Sequence, residues 1–390
     1  NANVGQGKFT RSSASFNLNN RNKWMNTYAT IGGFDRTSFH EILFLNNQNG
    51  LLIDEIDYRK RNSRGLNCRL GTDYYIDDHQ TVGFLINANN DAGGLNSYNR
   101  GIISRASQPN SIDSILIANN ETIKSGNNQT YNINYSYNNK GISTVIDLDY
   151  GRYRKNSETF QPNQYYDGNL ENLLTKVWTS FTTPVEIDIY TAKLDHERSF
   201  WGGQLQMGVK YSQVRTDNTF LFYNLDEPGN KLLDDKRSNL FKYDERVYAA
   251  YTGYSHSINK KLSLSGGVRM EITDAVGDLT SFDPSLNEDP VLLNYIDFFP
   301  NVGISYAFKP QHKFSLNYGK RINRPDYNVL NPFREQLSEL SYSKGNPFLR
   351  PEIVHNLELG YTMAYRYNFK LAYSKTYDQI TRLIAPAEDD

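Results

Sequence analysis

Residues 131–151 read YNINYSYNNKGISTVIDLDYG. Successive side chains of an extended chain point to opposite sides, so Tyr131, Ile133, Tyr135 and Tyr137 fall on one face and Asn132, Asn134, Ser136 and Asn138 on the other. After a turn-forming stretch at 138–141 the alternation resumes, with Ile142, Ile146, Leu148 and Tyr150 against Ser143, Asp147, Asp149 and Gly151. The stretch is a β-hairpin with one apolar face and one polar face.

The same two-residue period recurs along the chain. Leu205, Met207, Val209 and Tyr211 oppose Gln204, Gln206, Gly208 and Lys210; Leu262, Leu264, Val268 and Met270 oppose Ser263, Ser265, Arg269 and Glu271. Further examples are Phe314, Leu316 and Tyr318 against Lys313, Ser315 and Asn317, and Phe369, Leu371 and Tyr373 against Lys370, Ser374 and Thr376. Val82, Phe84, Ile86 and Ala88 form one more apolar face. Tight polar connections fall at 19–23, 77–80, 138–141, 199–203, 259–261, 309–312 and 365–368. They return roughly every 60 residues, one long hairpin per period. Seven turns with two strands each predict about 14 strands of about 10 to 15 residues, joined at the other end by long polar connections. Those connections are expected at 89–128, 155–171, 223–239, 275–293 and 322–343, while the apolar runs at 42–45 and 115–117 read equally as strands or as hairpins within loops.

Short turns on one rim and long loops on the other are the arrangement of outer-membrane barrels, and a soluble sandwich has no reason to adopt it. The fold expected is therefore all-β, a transmembrane antiparallel up-and-down β-barrel forming a single domain over residues 1–390. No stretch approaches the roughly 20 apolar residues a spanning helix requires. A mean hydropathy of -0.66 does not argue against a barrel, because only every second residue of a barrel strand meets lipid. The 29 Tyr and 20 Phe fit strand propensity and also aromatic girdles at the headgroup level. Tyr28, Tyr74, Tyr75, Tyr150, Phe298, Phe299, Tyr306 and Tyr373, near strand ends, are the girdle candidates.

Chemistry-bearing motifs are not apparent. The six histidines are scattered, so no metal site is expected, and carboxylates at 73–78 and 226–235 read as solvated turns. No nucleophile elbow or phosphate-binding loop occurs, and neither an enzyme nor a cofactor is expected. A net charge of -1 gives no basic excess for nucleic acid. Cys68 stands alone and frames no disulfide. The opening NANVGQGKFT lacks the features of a signal peptide, and the chain reads as an internal segment of a longer protein.

The distinctive segment is 313–384, with KFSLNYGKRINRPDYNVLNPF, GNPFLRPEIVHNLELGYT and NFKLAYSKTYDQITRLI. It resembles TonB-dependent outer-membrane receptors of the β-barrel family common in Bacteroidetes. The residues that carry the likeness are Arg321, Asn323, Arg324, Pro325, Tyr327, Leu330, Asn331, Pro332 and Phe333, then Gly345, Asn346, Pro347, Leu349, Pro351 and Glu352, then Asn356, Glu358, Gly360 and Tyr361. Physically, the four prolines bracket a loop between strands. Glu352 and Glu358 share the parity of Asn356 and are expected to face the lumen, where a charge must find an arginine or water. Structural roles in loop and lumen are expected for these motif residues, and the ligand-binding residues are unknown.

The resemblance implies about 14 strands of a 22-stranded barrel whose plug and closing strands lie outside this chain. It also implies active uptake of an unknown extracellular ligand, with outer-membrane lipid and, through the plug, the TonB complex as partners. Two rival readings remain open at this point, a passive porin without a plug and a secreted soluble all-β adhesin.

Overall fold

The computed structural model describes every residue except 49, 227, 228, 288, 331–333, 339, 340 and 384–390. The strands are β1 (Ala2–Gln6), β2 (Thr10–Arg21), β3 (Met25–Gln48), β4 (Leu51–Tyr75), β5 (Gln80–Arg105), β6 (Gln108–Asn139) and β7 (Ile142–Tyr166). There follow β8 (Leu173–Thr182), β9 (Val185–Phe200), β10 (Gly203–Leu225), β11 (Lys231–Leu233), β12 (Asn239–Ser257), β13 (Leu262–Ser281), β14 (Val291–Lys309) and β15 (His312–Asn323). A short helix α1 (Tyr327–Leu330) and the hairpin β16 (Arg334–Ser338) and β17 (Ser341–Lys344) precede β18 (Glu352–Met363) and β19 (Tyr367–Tyr377).

Apart from the β16–β17 hairpin, the strands belong to one 17-stranded sheet, antiparallel at every pairing. β8 and β9 are one wall strand broken at 183–184: β7 and β10 pair with β9 along their lower halves and with β8 above. Pro184 has no N–H to give the ladder, and the break falls where its absence costs least. With β8 and β9 counted together, and the short β1 and β11 set aside, the 17 strands give 14 that cross the wall, the number expected from seven turns.

The turns of the lower rim explain themselves locally. Asn22 Oδ1 accepts the N–H groups of Trp24 and Met25, at 2.8 and 2.9 Å. Asp77 Oδ1 does the same for His79 and Gln80, and Asn259 for Lys261 and Leu262. This is the Asx device that makes Asn and Asp turn formers. The His79 N–H and the Gln80 side chain hold the Asp77 carboxyl below its ordinary value. At Lys140–Gly141 and Trp201–Gly202 both turn residues have positive φ, the two-residue geometry that matches strand twist and that glycine makes cheap.

The opposite rim departs from expectation. No long loops occupy 89–128 or 155–171; β5, β6 and β7 run through most of them, leaving only 106 and 107 between β5 and β6 and 167–172 between β7 and β8. The apolar runs at 42–45 and 115–117 lie in β3 and β6. β3, β4, β5 and β6 are 24, 25, 26 and 32 residues long, far beyond the 10 to 15 expected. Above the lipid a strand has no apolar side to keep, so alternation disappears, while the backbone ladder with a paired neighbour continues. The longer connections between wall strands are 226–238, which holds β11, 282–290, and 324–351, which holds α1 and the β16–β17 hairpin. In the second, Asp283 accepts the Ser285 hydroxyl and N–H, which lower its carboxyl pKa.

Register fixes the faces, since opposed residues share one. On the outward face Ile146 meets Leu194, Leu194 meets Val209, Val209 meets Ala250, and Ala250 meets Met270. Ile304 meets Leu316, Leu316 meets Leu359, and Leu359 meets Leu371. Below this aliphatic band lies a line of rings, with Phe314 and Tyr361 at 4.5 Å and Tyr361 and Phe369 at 6.2 Å between centroids. Above it lies another, with Tyr131 and Tyr150 at 6.0 Å, Tyr150 and Tyr190 at 5.1 Å, and Tyr211 and Tyr248 at 5.2 Å. Immediately above, the same face turns charged. Arg152 and Arg154 flank Glu186 at 3.8 and 3.3 Å, and Arg215 and Arg246 flank Asp244 at 3.0 and 3.3 Å. Aliphatic band, two girdles and a charged margin are the signature of a lipid-facing barrel wall.

Of the girdle candidates, Tyr74, Tyr150, Phe298, Tyr306 and Tyr373 share the outward parity, whereas Tyr28, Tyr75 and Phe299 lie on the inner face. In the adjacent pairs 74–75 and 298–299 only one ring can face lipid, because the period of a strand is two.

Candidate lumenal site

The inner face carries the polar chemistry. One row crosses five strands: Asp195 on β9, Gly208 on β10, Tyr251 on β12, Arg269 on β13 and Phe299 on β14. Tyr251 lies over Gly208, where an added Cβ would meet its ring carbons. Glycine at 208 therefore lets the Tyr251 hydroxyl reach across a strand and donate to Asp195. Lys193 pairs with the same carboxylate. The Arg269 guanidinium sits 5.1 Å from the Tyr251 ring centroid and pairs with Glu271 at 2.5 Å.

Glu271 is where the wall meets the loop. Its side chain is 7% exposed, and its second oxygen accepts Arg324 Nη2 at 2.7 Å, with Thr273 Oγ1 taking a further bond at 3.0 Å. Buried Glu245, held by the Tyr243 hydroxyl at 3.1 Å, stands two rows further up the same face, opposite Ala275. A buried carboxylate needs such a partner, so Arg324 neutralises charge and fastens the start of loop 324–351 to the inner wall. Asp326 O caps the helix that follows, accepting the N–H groups of Val329 and Leu330. Leu330, 3% exposed, then enters an aromatic cluster of Phe181, Phe220, Phe222, Phe241 and Tyr243, against which Leu349 also packs. Between these anchors, Asn346 N–H donates to Val329 O at 2.8 Å, while the Asn346 side chain accepts Phe348 N–H at 2.9 Å. The two ends of the loop, 324–330 and 346–349, thus lie inward over the upper inner wall.

The motif residues take different places. Arg321 stands opposite Val354 at the end of β15, and Asn323 Nδ2 donates to Glu352 at 2.7 Å. Glu352 also accepts Ile380 N–H at 2.7 Å. Pro325 follows Arg324 into the loop, and Tyr327 begins α1. Gly345 and Pro347 flank the Asn346 turn, and Pro351 immediately precedes β18. Asn356 and Glu358 share the inner parity of β18, where Glu358, for which an arginine or water was expected, pairs with Lys370 of the neighbouring strand at 2.5 Å and is 38% exposed. Gly360 lies against Ser315, whose Oγ would be 2.5 Å from an added Cβ. Tyr361 points the other way, into the lower aromatic line, with its hydroxyl 2.8 Å from His312 Nδ1. Asn331, Pro332 and Phe333 lie outside the described residues. Sequence reasoning missed Glu271 as the partner of Arg324, although charged residues on the polar side of 262–271 were a usable signal. Among the described residues no group of three or more His, Cys, Asp or Glu could hold a metal ion.

The model of the "Outer membrane protein beta-barrel family" matches residues 135–390. The chain belongs to this family. Its place is the bacterial outer membrane, and its apolar outward band is the lipid face. Among solved structures, this outer membrane β-barrel is similar to the ferric-catecholate import receptor Fiu of E. coli K12, at 12% identity and a TM-score of 0.55, covering 93% of this chain and 57% of Fiu. It is also similar to the ferric citrate transporter FecA, at 11% identity and a TM-score of 0.48, covering 94% of this chain and 51% of FecA. The chain therefore spans little more than half the length of the receptors it resembles. No curated protein matches it in sequence.

Proposed function

We propose that this wall is part of a TonB-dependent outer-membrane receptor that imports a nutrient actively, without catalysis of its own. The observation that carries the reading is the inner face: a charged ladder from Lys193 to Arg324 and an inward-folded loop held by Glu271 and an aromatic cluster. A lumen lined this way suits a passage occupied by a plug and opened on demand, and the fold likeness to the barrel of Fiu is in keeping with it. In this reading the 14 wall strands form part of a larger barrel, a ligand enters from the tall rim, and the TonB complex supplies the energy through a plug.

Uptake by intact cells tests this. Candidate nutrients are supplied to cells with and without the gene, before and after a proton uncoupler. Active import predicts uptake that requires the gene and stops with the uncoupler. Gene-dependent uptake that persists without the proton gradient would establish a passive channel instead.

A further inference from the structure

A third line of rings runs along the outward face above the charged margin. Tyr58 on β4 opposes Tyr98 on β5, and Tyr98 opposes Asn119 on β6. The row continues through Pro162 on β7 to Trp178 on β8. Phe39 adjoins it diagonally, with centroids 6.1 Å from Tyr58 and a further 6.4 Å from Tyr58 to Tyr98. Tyr58 has the parity of Leu66 and Leu70, and Tyr98 that of Ile86, so these rings are on the lipid side of the wall and not the lumenal one. Tyr58 and Tyr98 are 36% and 40% exposed. Lys60 and Asn96 oppose each other in the row beneath.

Height decides what this surface meets. The outward face of β4 turns polar at Arg64, and Tyr58 lies about 20 Å further along the strand at ~3.3 Å per residue. For a strand tilted ~45° that is about 15 Å above the hydrocarbon margin. No acyl chain reaches there, and a solute crossing the lumen passes on the other side of the wall. The layer beside an outer-membrane protein at that height is the sugar portion of the outer-leaflet glycolipid. Rings offer apolar surface to sugar C–H faces, amides match hydroxyl groups, and an ammonium suits acidic sugars or phosphates. Lys8 already sits 3.3 Å over the Phe39 ring and Lys60 lies 5.0 Å from that of Phe9, so the hairpin between β1 and β2 covers one end and leaves Tyr58 and Tyr98 open.

We propose that the outward line of Tyr58 and Tyr98, with Lys60, Asn96 and Asn119, binds the oligosaccharide of outer-leaflet glycolipids and seats the tall wall in that layer. This does not depend on what the lumen transports.

The test is titration of the full-length protein in detergent with two glycolipids, one carrying its core oligosaccharide and one cut back to the acylated disaccharide, read by native mass spectrometry. The parent protein is expected to bind the complete glycolipid at least tenfold more tightly. The double variant Tyr58→Ala, Tyr98→Ala is expected to lose that preference and to bind the truncated lipid as before. Equal affinity of the parent for both lipids overturns the proposal without reference to any variant, as does a double variant that folds and keeps the preference. Equal binding of the free oligosaccharide would show a soluble-glycan site and overturn the assignment to glycolipid.

Discussion

The two ends of the wall reach the upper rim by different means. β3 to β6, of 24 to 32 residues, continue as paired strands well beyond the lipid margin, while β15, β18 and β19, of 12, 12 and 11 residues, stop near it. Between two of the short strands the chain runs through loop 324–351, which Arg324 ties to the inner face of β13 and Leu330 to the aromatic cluster of β8, β10 and β12. The tall region is carried by a repeated backbone ladder in which no one side chain is decisive. The loop depends on a few side chains that meet partners far away in sequence. The first should be tolerant of substitution and the second brittle.

That contrast can be broken at its strongest point by Phe222→Ala, which empties the aromatic cluster that holds Leu330. We expect a loss of about 4 kcal/mol, seen as faster amide exchange through loop 324–351 with β3 to β6 unchanged. Exchange spreading equally into β3 to β6 would mean that the two regions are not independent. Arg324→Ala leaves Glu271 with Arg269 alone, and the cost expected is about 3 kcal/mol, the low end for breaking a buried pair because one partner remains. Its signature is loop opening at constant strand content by circular dichroism. Gly208→Val displaces Tyr251 from Asp195 and should destabilise the wall by about 2 kcal/mol, read as a lower denaturation midpoint; an unchanged midpoint would show that the close approach is dispensable. In the tall region Asn127→Ala should change stability by less than about 0.5 kcal/mol.

The smallest expected effect is at the lower rim. The Asp77 carboxyl is held below its ordinary value of 3.8 by the His79 N–H and the Gln80 side chain. A depressed folded pKa contributes stability that is fully present above 3.8 and lost as pH falls through the lower folded value. Amide exchange at His79 and Gln80 should therefore accelerate only in acid below that point, and Asp77→Ala should remove the pH dependence.

The brittle region was also the less legible one. All seven lower turns could be read because each depends on its own few residues, such as Asn22, Asp77 and Lys140–Gly141. The lipid band could be read because one face must stay apolar, as Ile146, Leu148 and Val209 do. The upper parts of the tall strands read as loops in sequence because their Asn- and Gly-rich segments carry no lipid face to impose a pattern. The pairing of Arg324 with Glu271 joins residues 53 apart in sequence, and no local pattern announces it.

By itself, then, the sequence determined the strand count, the two faces and the rim of short turns, since two-residue periodicity and turn chemistry act over a few neighbouring residues. Only the tertiary structure decided how far the strands rise above the lipid, which of two adjacent rings faces outward, and how the motif loop is fastened. Those outcomes depend on register across several strands and on contacts between distant residues, where the energy of a side chain is set by what it meets and not by its neighbours in the chain.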